Sequence, residues 1–171
     1  LDDPVTLRSA RGGVATEEVK NVMGSKAFPY PKPLSLISGL LAQATRPGDI
    51  VLDFFAGSAT TGHAVLALNA EDGGQRRFIL CSSTEATSKE PKKNLCRDVC
   101  AERMRRVIAG YGSTPGLDGD FVYLTMDKID PAYLDMDAQP DHILQLLSLR
   151  YAGMASAAGV STQAVHLLST Q

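Results

Sequence analysis

Asp49-Ile50-Val51-Leu52-Asp53-Phe54-Phe55-Ala56-Gly57-Ser58-Ala59-Thr60-Thr61-Gly62 is the stretch on which the fold turns. Ile50 to Leu52 are apolar and β-favouring, and they read as a buried strand. The chain then breaks into small and hydroxylated residues before His63 to Asn69 resumes with helix formers. Strand, tight turn and helix in succession build a ligand crevice at the carboxyl end of a strand in an open α/β sheet. Asp53 stands at that strand end, where a carboxylate can meet a cationic or hydroxyl-bearing ligand. Gly57 lets a backbone approach closely, and Ser58, Thr60 and Thr61 bring hydroxyls and N–H groups to the helix start. Two phosphate-binding patterns fit poorly. A dinucleotide fingerprint needs a third glycine beside Gly57 and Gly62. A P-loop has this glycine spacing, but His63 and Ala64 occupy the places of its lysine and hydroxyl, so a degenerate nucleotide-binding domain is the lesser alternative.

The turn resembles the D-x-F-x-G-S-G-T-T motif of amino-methylating DNA methyltransferases. Asp53, Phe55, Gly57, Ser58, Thr60 and Thr61 match it, and Ala59 stands where many members carry glycine. That departure excludes backbone conformations which only glycine adopts easily. Upstream, Phe28-Pro29-Tyr30-Pro31-Lys32-Pro33 must run extended because of its alternating prolines. Taken alone it is a connector with a solvated lysine; placed just before Asp53, it resembles the family segment that closes over the methionine end of the cofactor.

The 171 residues suit one domain with a real core, and 44% hydrophobic with 21% charged residues is ordinary for a globular protein. No apolar run reaches membrane-spanning length and no secretory signal opens the chain, so a cytoplasmic protein is expected. Cys81, Cys96 and Cys100 are odd in number and lack a paired C-x-x-C, which argues against a disulfide framework or a zinc ribbon and for core packing. With 17 basic and 19 acidic residues the net charge is −2, so contact with nucleic acid must come from local basic clusters or from sequence outside this chain.

Residues 1–27 read as an irregular arm followed by a short helix from Ala15 to Gly24, capped by Thr16. Residues 28–126 form the core. Pro33 opens a helix with an apolar stripe of Leu34, Ile37, Leu40 and Leu41. Arg76 to Cys81 is a second buried strand, and Thr84 to Lys93 a surface loop. Beyond that strand, Glu85 is either a ribose ligand or a solvated glutamate. Asn94 to Tyr111 reads as a helix with Leu95, Cys96, Val99, Cys100, Met104, Val107 and Ile108 on one face. Arg97, Arg103, Arg105 and Arg106 form its other face, more simply solvated than bound to phosphates. Phe121 to Met126 is a third strand. Residues 127–171 read as a helical extension, with helices at Asp141–Tyr151 and Ala155–Ser169. Asp130-Pro131-Ala132-Tyr133 there resembles the catalytic D-P-P-Y tetrapeptide, but alanine replaces its second proline, and a plain loop is the safer reading.

Together these segments resemble the modification subunits of type III restriction systems, β-ordered adenine-N6 DNA methyltransferases, over roughly Glu17 to Tyr123. The resemblance implies an α/β fold: a partial doubly wound, Rossmann-like adenosylmethionine-dependent methyltransferase core with an incomplete sheet. It implies that Asp53 contacts the methionine part of the cofactor and that Phe54, Phe55, Ala56, Gly57, Ser58, Thr60 and Thr61 wrap it. Phe28, Tyr30, Lys32 and Pro33 then close over it, with Lys32 on its carboxylate and Glu85 on the ribose. In that family the D-P-P-Y motif and the target-recognition region precede the P-K-P segment, and neither is present here. The chain therefore reads as the cofactor half of an enzyme that flips an adenine from duplex DNA and methylates its N6. Three strands cannot cover both faces of such a sheet, so the chain is expected to self-associate or to bind its missing half or a restriction subunit. A non-catalytic assembly module is the main alternative.

Overall fold

The computed structural model describes residues 12–128 and 165–167. The chain divides into two compact units, Leu1–Asp120 and Phe121–Gln171. In the first, α1 (Gly12–Met23) and α2 (Leu34–Ala44) lead into β1 (Ile50–Asp53), α3 (Thr60–Asp72) and β2 (Arg77–Leu80). A wide π-helical turn (Cys96–Ala101) then runs directly into α4 (Glu102–Ala109). The second unit contributes β3 (Met126–Lys128) and β4 (Val165–Leu167), paired in parallel.

β1 and β2 lie side by side in parallel, with Val51 opposite Phe78 and Asp53 opposite Leu80. Parallel pairing requires a crossover, and α3 supplies it. This is the α/β arrangement expected around the turn. Paired residues share a face, so one face carries Val51, Phe78 and Leu80, and the other Ile50, Leu52, Arg77 and Ile79. The first face is covered: Val51 is buried and Phe78 and Leu80 are half-buried. α3 lies so close on that side that a Cβ at Gly62 would come within 2.9 Å of both Leu80 Cδ1 and Met104 Sδ. The second face is bare, with Ile50, Leu52 and Ile79 about half exposed. α2 matches this pattern, since none of its residues is fully buried and Leu40 is exposed.

Local signals set most element ends. Gly24 and Gly73 close α1 and α3 in the left-handed conformation that glycine tolerates. Arg76 stays outside β2 because the Asn69 amide occupies both of its backbone groups, donating to its carbonyl at 2.9 Å and accepting from its N–H at 3.0 Å. The Arg76 side chain, itself buried, is held by Asp72 and Thr45.

β1 and β2, expected as buried strands, are covered on one face only, and three further elements differ from the sequence expectation. α1 begins at Gly12, so Thr16 lies within it instead of capping it; burial of Ala15, Val19 and Val22 draws the earlier turn into the helix. Phe121–Thr125 lies outside the third strand, which forms at Met126–Lys128 where β4 offers a partner. Val165–Leu167, expected within a terminal helix, is that partner strand, as its β-branched Val165 and alternating pattern allow. The helix expected at Asp141–Tyr151 and the Asp130–Tyr133 tetrapeptide lie outside the described residues.

The close contact at Gly62 sets an expectation. Gly62→Ala should destabilise the chain by about 1–3 kcal/mol, because the added methyl must displace packed side chains of β2 and α4. Gly73→Ala, at φ 70° in open space, should cost only about 1 kcal/mol of backbone strain. Urea denaturation checks both, and equal midpoints for the two variants would contradict the packing account.

Candidate cofactor site

The turn between β1 and α3 is tied down by the strand that feeds it. Asp53 Oδ1 accepts the Phe55 N–H at 3.0 Å, and Oδ2 accepts the Thr61 hydroxyl at 2.6 Å. One carboxylate thus spans the turn from strand end to first helical turn. β2 extends this bracing, with Cys81 N–H on the Asp53 carbonyl and Ala56 N–H on the Cys81 carbonyl. Gly57 takes φ 51° with the Phe28 ring against it: a Cβ there would lie 3.1 Å from Phe28 Cζ. Ala59, at the N-cap of α3, holds a left-handed conformation at φ 60° despite its Cβ. The motif's usual glycine is therefore missing at a position whose backbone still has a glycine-like conformation.

The structure brings the two sequence-read segments together. Thr60 donates its hydroxyl to the Lys32 carbonyl at 3.3 Å, and Phe28 packs on Gly57. Pro31 and Pro33 are buried, whereas Tyr30 is 83% exposed and the Lys32 side chain faces solvent. Around the turn Phe54 is 65% and Phe55 93% exposed. By helix geometry the N–H groups of Thr60, Thr61 and Gly62 lack intrahelical acceptors, leaving partial positive charge at the start of α3. Three expected residues stand differently. The Ser58 and Thr60 side chains are buried and turn away from solvent. Glu85 sits at φ 52° in its loop and pairs with Lys93 at 3.3 Å.

The residue that sequence reasoning missed is Arg103. Expected on a solvated basic face, it has no exposed surface. Its Nη1 donates to the Ser58 carbonyl (3.0 Å), the Ser58 hydroxyl (3.3 Å) and the Thr60 hydroxyl (3.0 Å). Its Nη2 lies 3.2 Å from His63 Nδ1, and Nε has no partner. Among the described residues no carboxylate lies within ion-pair distance of it. Burial pulls the guanidinium below its usual range, opposed by the nearby Glu18 carboxylate. Arg106, by contrast, is half-buried, pairing with Glu102 at 2.8 Å and donating to the Met23 carbonyl at 2.7 Å, so it ties α4 to the end of α1. The thiols behave as packing groups: burial pushes Cys100 up to about 12 and raises Cys96 as well.

His63 stands at the position a P-loop gives to lysine. Burial first, and then the Arg103 charge, lower its pKa to about 4, so it is neutral and buried there. With Nδ1 accepting from Arg103, its proton belongs on Nε2.

These features can be set beside known proteins. Residues 9–93 match the family model described as DNA methylase. That match is to the family whose motifs the Asp53–Gly62 turn resembles. Among curated relatives, the StyLTI Mod subunit of a type III restriction-modification enzyme from Salmonella typhimurium is 44% identical over 98 residues, which is 54% of this chain and 15% of the relative. The EcoPI Mod subunit from Escherichia phage P1 is 48% identical over 75 residues, 44% of this chain and 12% of the relative. The type II methyltransferase M.KpnI from Klebsiella pneumoniae is 44% identical over 75 residues, 44% of this chain and 18% of the relative. The aligned stretch is thus under a fifth of each relative's length.

The depressed His63 pKa makes stability depend on acid. Its folded pKa of about 4 lies below the unfolded 6.5, so the unfolded chain binds the extra proton between those values. Stability is full above pH 6.5, falls as the pH drops, and levels off near pH 4, a loss on the order of 3 kcal/mol. His63→Gln should flatten that part of the profile in urea titrations. An unchanged slope between pH 6.5 and 4.5 would show that His63 does not carry it.

Proposed function

We propose that this chain is the cofactor-binding portion of a DNA adenine-N6 methyltransferase of a restriction-modification system, with adenosylmethionine as its cofactor and a partial, doubly wound Rossmann-like fold. The observation that carries the reading is the Asp53-to-Thr61 turn, braced between a parallel strand and the start of a helix within sequence that matches DNA methylases. Bound adenosylmethionine supplies a methyl group on a sulfonium, which needs no covalent help from the protein.

The donor set fits such a ligand. The cofactor's amino acid part carries an ammonium and a carboxylate. Asp53 offers the first a carboxylate whose oxygens keep lone pairs beyond their two hydrogen bonds. The start of α3 and the exposed Lys32 ammonium offer positive charge to the second. Phe55, Phe54 and Tyr30 provide apolar ring faces that a nucleoside can cover. The missing side chain at Gly57 is where the Phe28 ring packs, which holds the P-K-P segment against the turn. We assign the ribose to Glu85, which must then leave Lys93 or share it. A nucleotide-binding reading is disfavoured by His63, which is neutral and turned into the core.

Catalysis would rest on groups outside this chain. The bare face of Ile50, Leu52 and Ile79 supports a larger protein in which the missing half, carrying a D-P-P-Y-type motif and the target-recognition region, lies against this sheet. By the names of its relatives, that protein would be a modification subunit that works with a restriction subunit on duplex DNA. Unpaired Cys81, Cys96 and Cys100 suit a reducing cytoplasm.

Calorimetric titration with adenosylmethionine or its demethylated product should give saturable binding, weakened about tenfold or more in Asp53→Ala, which loses a charge contact and the turn's brace. No heat from the unaltered chain would sink the cofactor reading. With duplex DNA and labelled cofactor the chain alone should transfer no methyl groups. Robust incorporation would place catalytic groups within it, Asp130, Pro131 and Tyr133 first among them. By light scattering the chain should self-associate, and Leu52→Lys with Ile79→Lys should give a monomer; a monomeric unaltered chain would contradict the uncovered face.

A further inference from the structure

Arg103 presents an energetic puzzle. It is fully buried, has no contacting carboxylate among the described residues, and leaves Nε unpaired. An apolar side chain of similar volume would ordinarily serve stability as well or better there. Its remaining nitrogens are spent on one place: the Ser58 carbonyl and hydroxyl, the Thr60 hydroxyl and His63. Because Thr60 accepts from the guanidinium, its own proton is free to point at the Lys32 carbonyl. A chain of hydrogen bonds thus runs from α4, through the start of α3, to the P-K-P segment. It passes the strained left-handed Ala59, whose neighbours on both sides are the residues Arg103 holds.

We propose that Arg103 is a positioning residue: its forked guanidinium, inserted behind the turn, sets the Ser58–Thr60 backbone and joins it to Lys32, so that the two cofactor-facing segments keep one arrangement. This rests on the adenosylmethionine reading for what is bound, though not for what is held. The fork, and not the charge alone, is required, since the four acceptors shared between its two terminal nitrogens outnumber the three N–H groups of an ammonium at the end of a flexible stem.

The test compares the unaltered chain with Arg103→Lys and Arg103→Met. Two readouts are taken: amide NMR shifts and hydrogen exchange of residues 57–61 in the free protein, and calorimetric titration with the demethylated cofactor. Both variants should move and deprotect the turn amides while α1 amides stay in place, and both should weaken binding about tenfold or more. If Arg103→Lys keeps the affinity that Arg103→Met loses, charge suffices and positioning is overturned. Folded variants with unmoved turn amides overturn it as well. Should the unaltered chain bind nothing, the cofactor reading fails, and the amide shifts still decide whether Arg103 holds the turn. Should neither Arg103 variant fold, Thr60→Val takes the same readouts: displaced amides at Lys32 and 57–61 support the proposal, and unmoved ones overturn it.

Discussion

A carboxylate at the end of a strand, reaching across a turn to the hydroxyl of the next helix, is the interaction from which the rest of this structure follows. The 2.6 Å contact from Thr61 to Asp53 ties the start of α3 to the end of β1, and the Phe55 N–H on the other oxygen closes the loop between them. With those ends joined, α3 must leave the strand at a set angle and return over the Val51–Leu80 face, where only a glycine at 62 lets it lie flush. Cys81 then meets Asp53 and Ala56 along the backbone, so β2 is held by the same turn. Sheet pairing, helix seat and candidate site meet at this one brace.

How much of this could be read in advance depended on whether the deciding force was local. β1, the turn, α2 and the glycine ends of α1 and α3 rest on short-range rules: apolar runs, proline at a helix start, a left-handed glycine after the last turn. Arg103 was misread because its residue type says solvent. Its position said otherwise. Val99, Arg103 and Val107 recur at four-residue intervals within the apolar stripe, and the widened turn before α4 buries Val99, Cys100 and Ala101 in succession. The clue was a charge inside a stripe, where an unsatisfied cation is so costly that it must have found acceptors. Phe121–Thr125 failed in the opposite sense. Its residues favour strands, but pairing settled on Met126–Lys128, because β-propensity reports fit to a neighbour more than any preference of the backbone itself. The candidate site was legible wherever a motif residue could be named, and illegible where the role belonged to a residue more than 40 positions away in sequence, as Arg103 is from Ser58 and Thr60.

The two faces of the β1–β2 pair complete the argument. On one, the crossover helix and α4 exclude water from Val51, Leu80 and Met104; on the other, Ile50, Leu52 and Ile79 meet it directly. A parallel pair this short gains little from its own hydrogen bonds, and such sheets persist when both faces are covered. Among the described residues, the apolar groups on the outer face of the strands that deliver Asp53 to its place therefore stay about half exposed. That exposure lies on the side of the sheet that the helices leave open, while the turn is held by Asp53 and Cys81 at the strand ends and by Arg103, Thr60 and Phe28 behind it. Under the proposed reading, ligand binding and covering of the sheet are separate events: the first uses groups already held in position, and the second a polypeptide surface beyond the described residues.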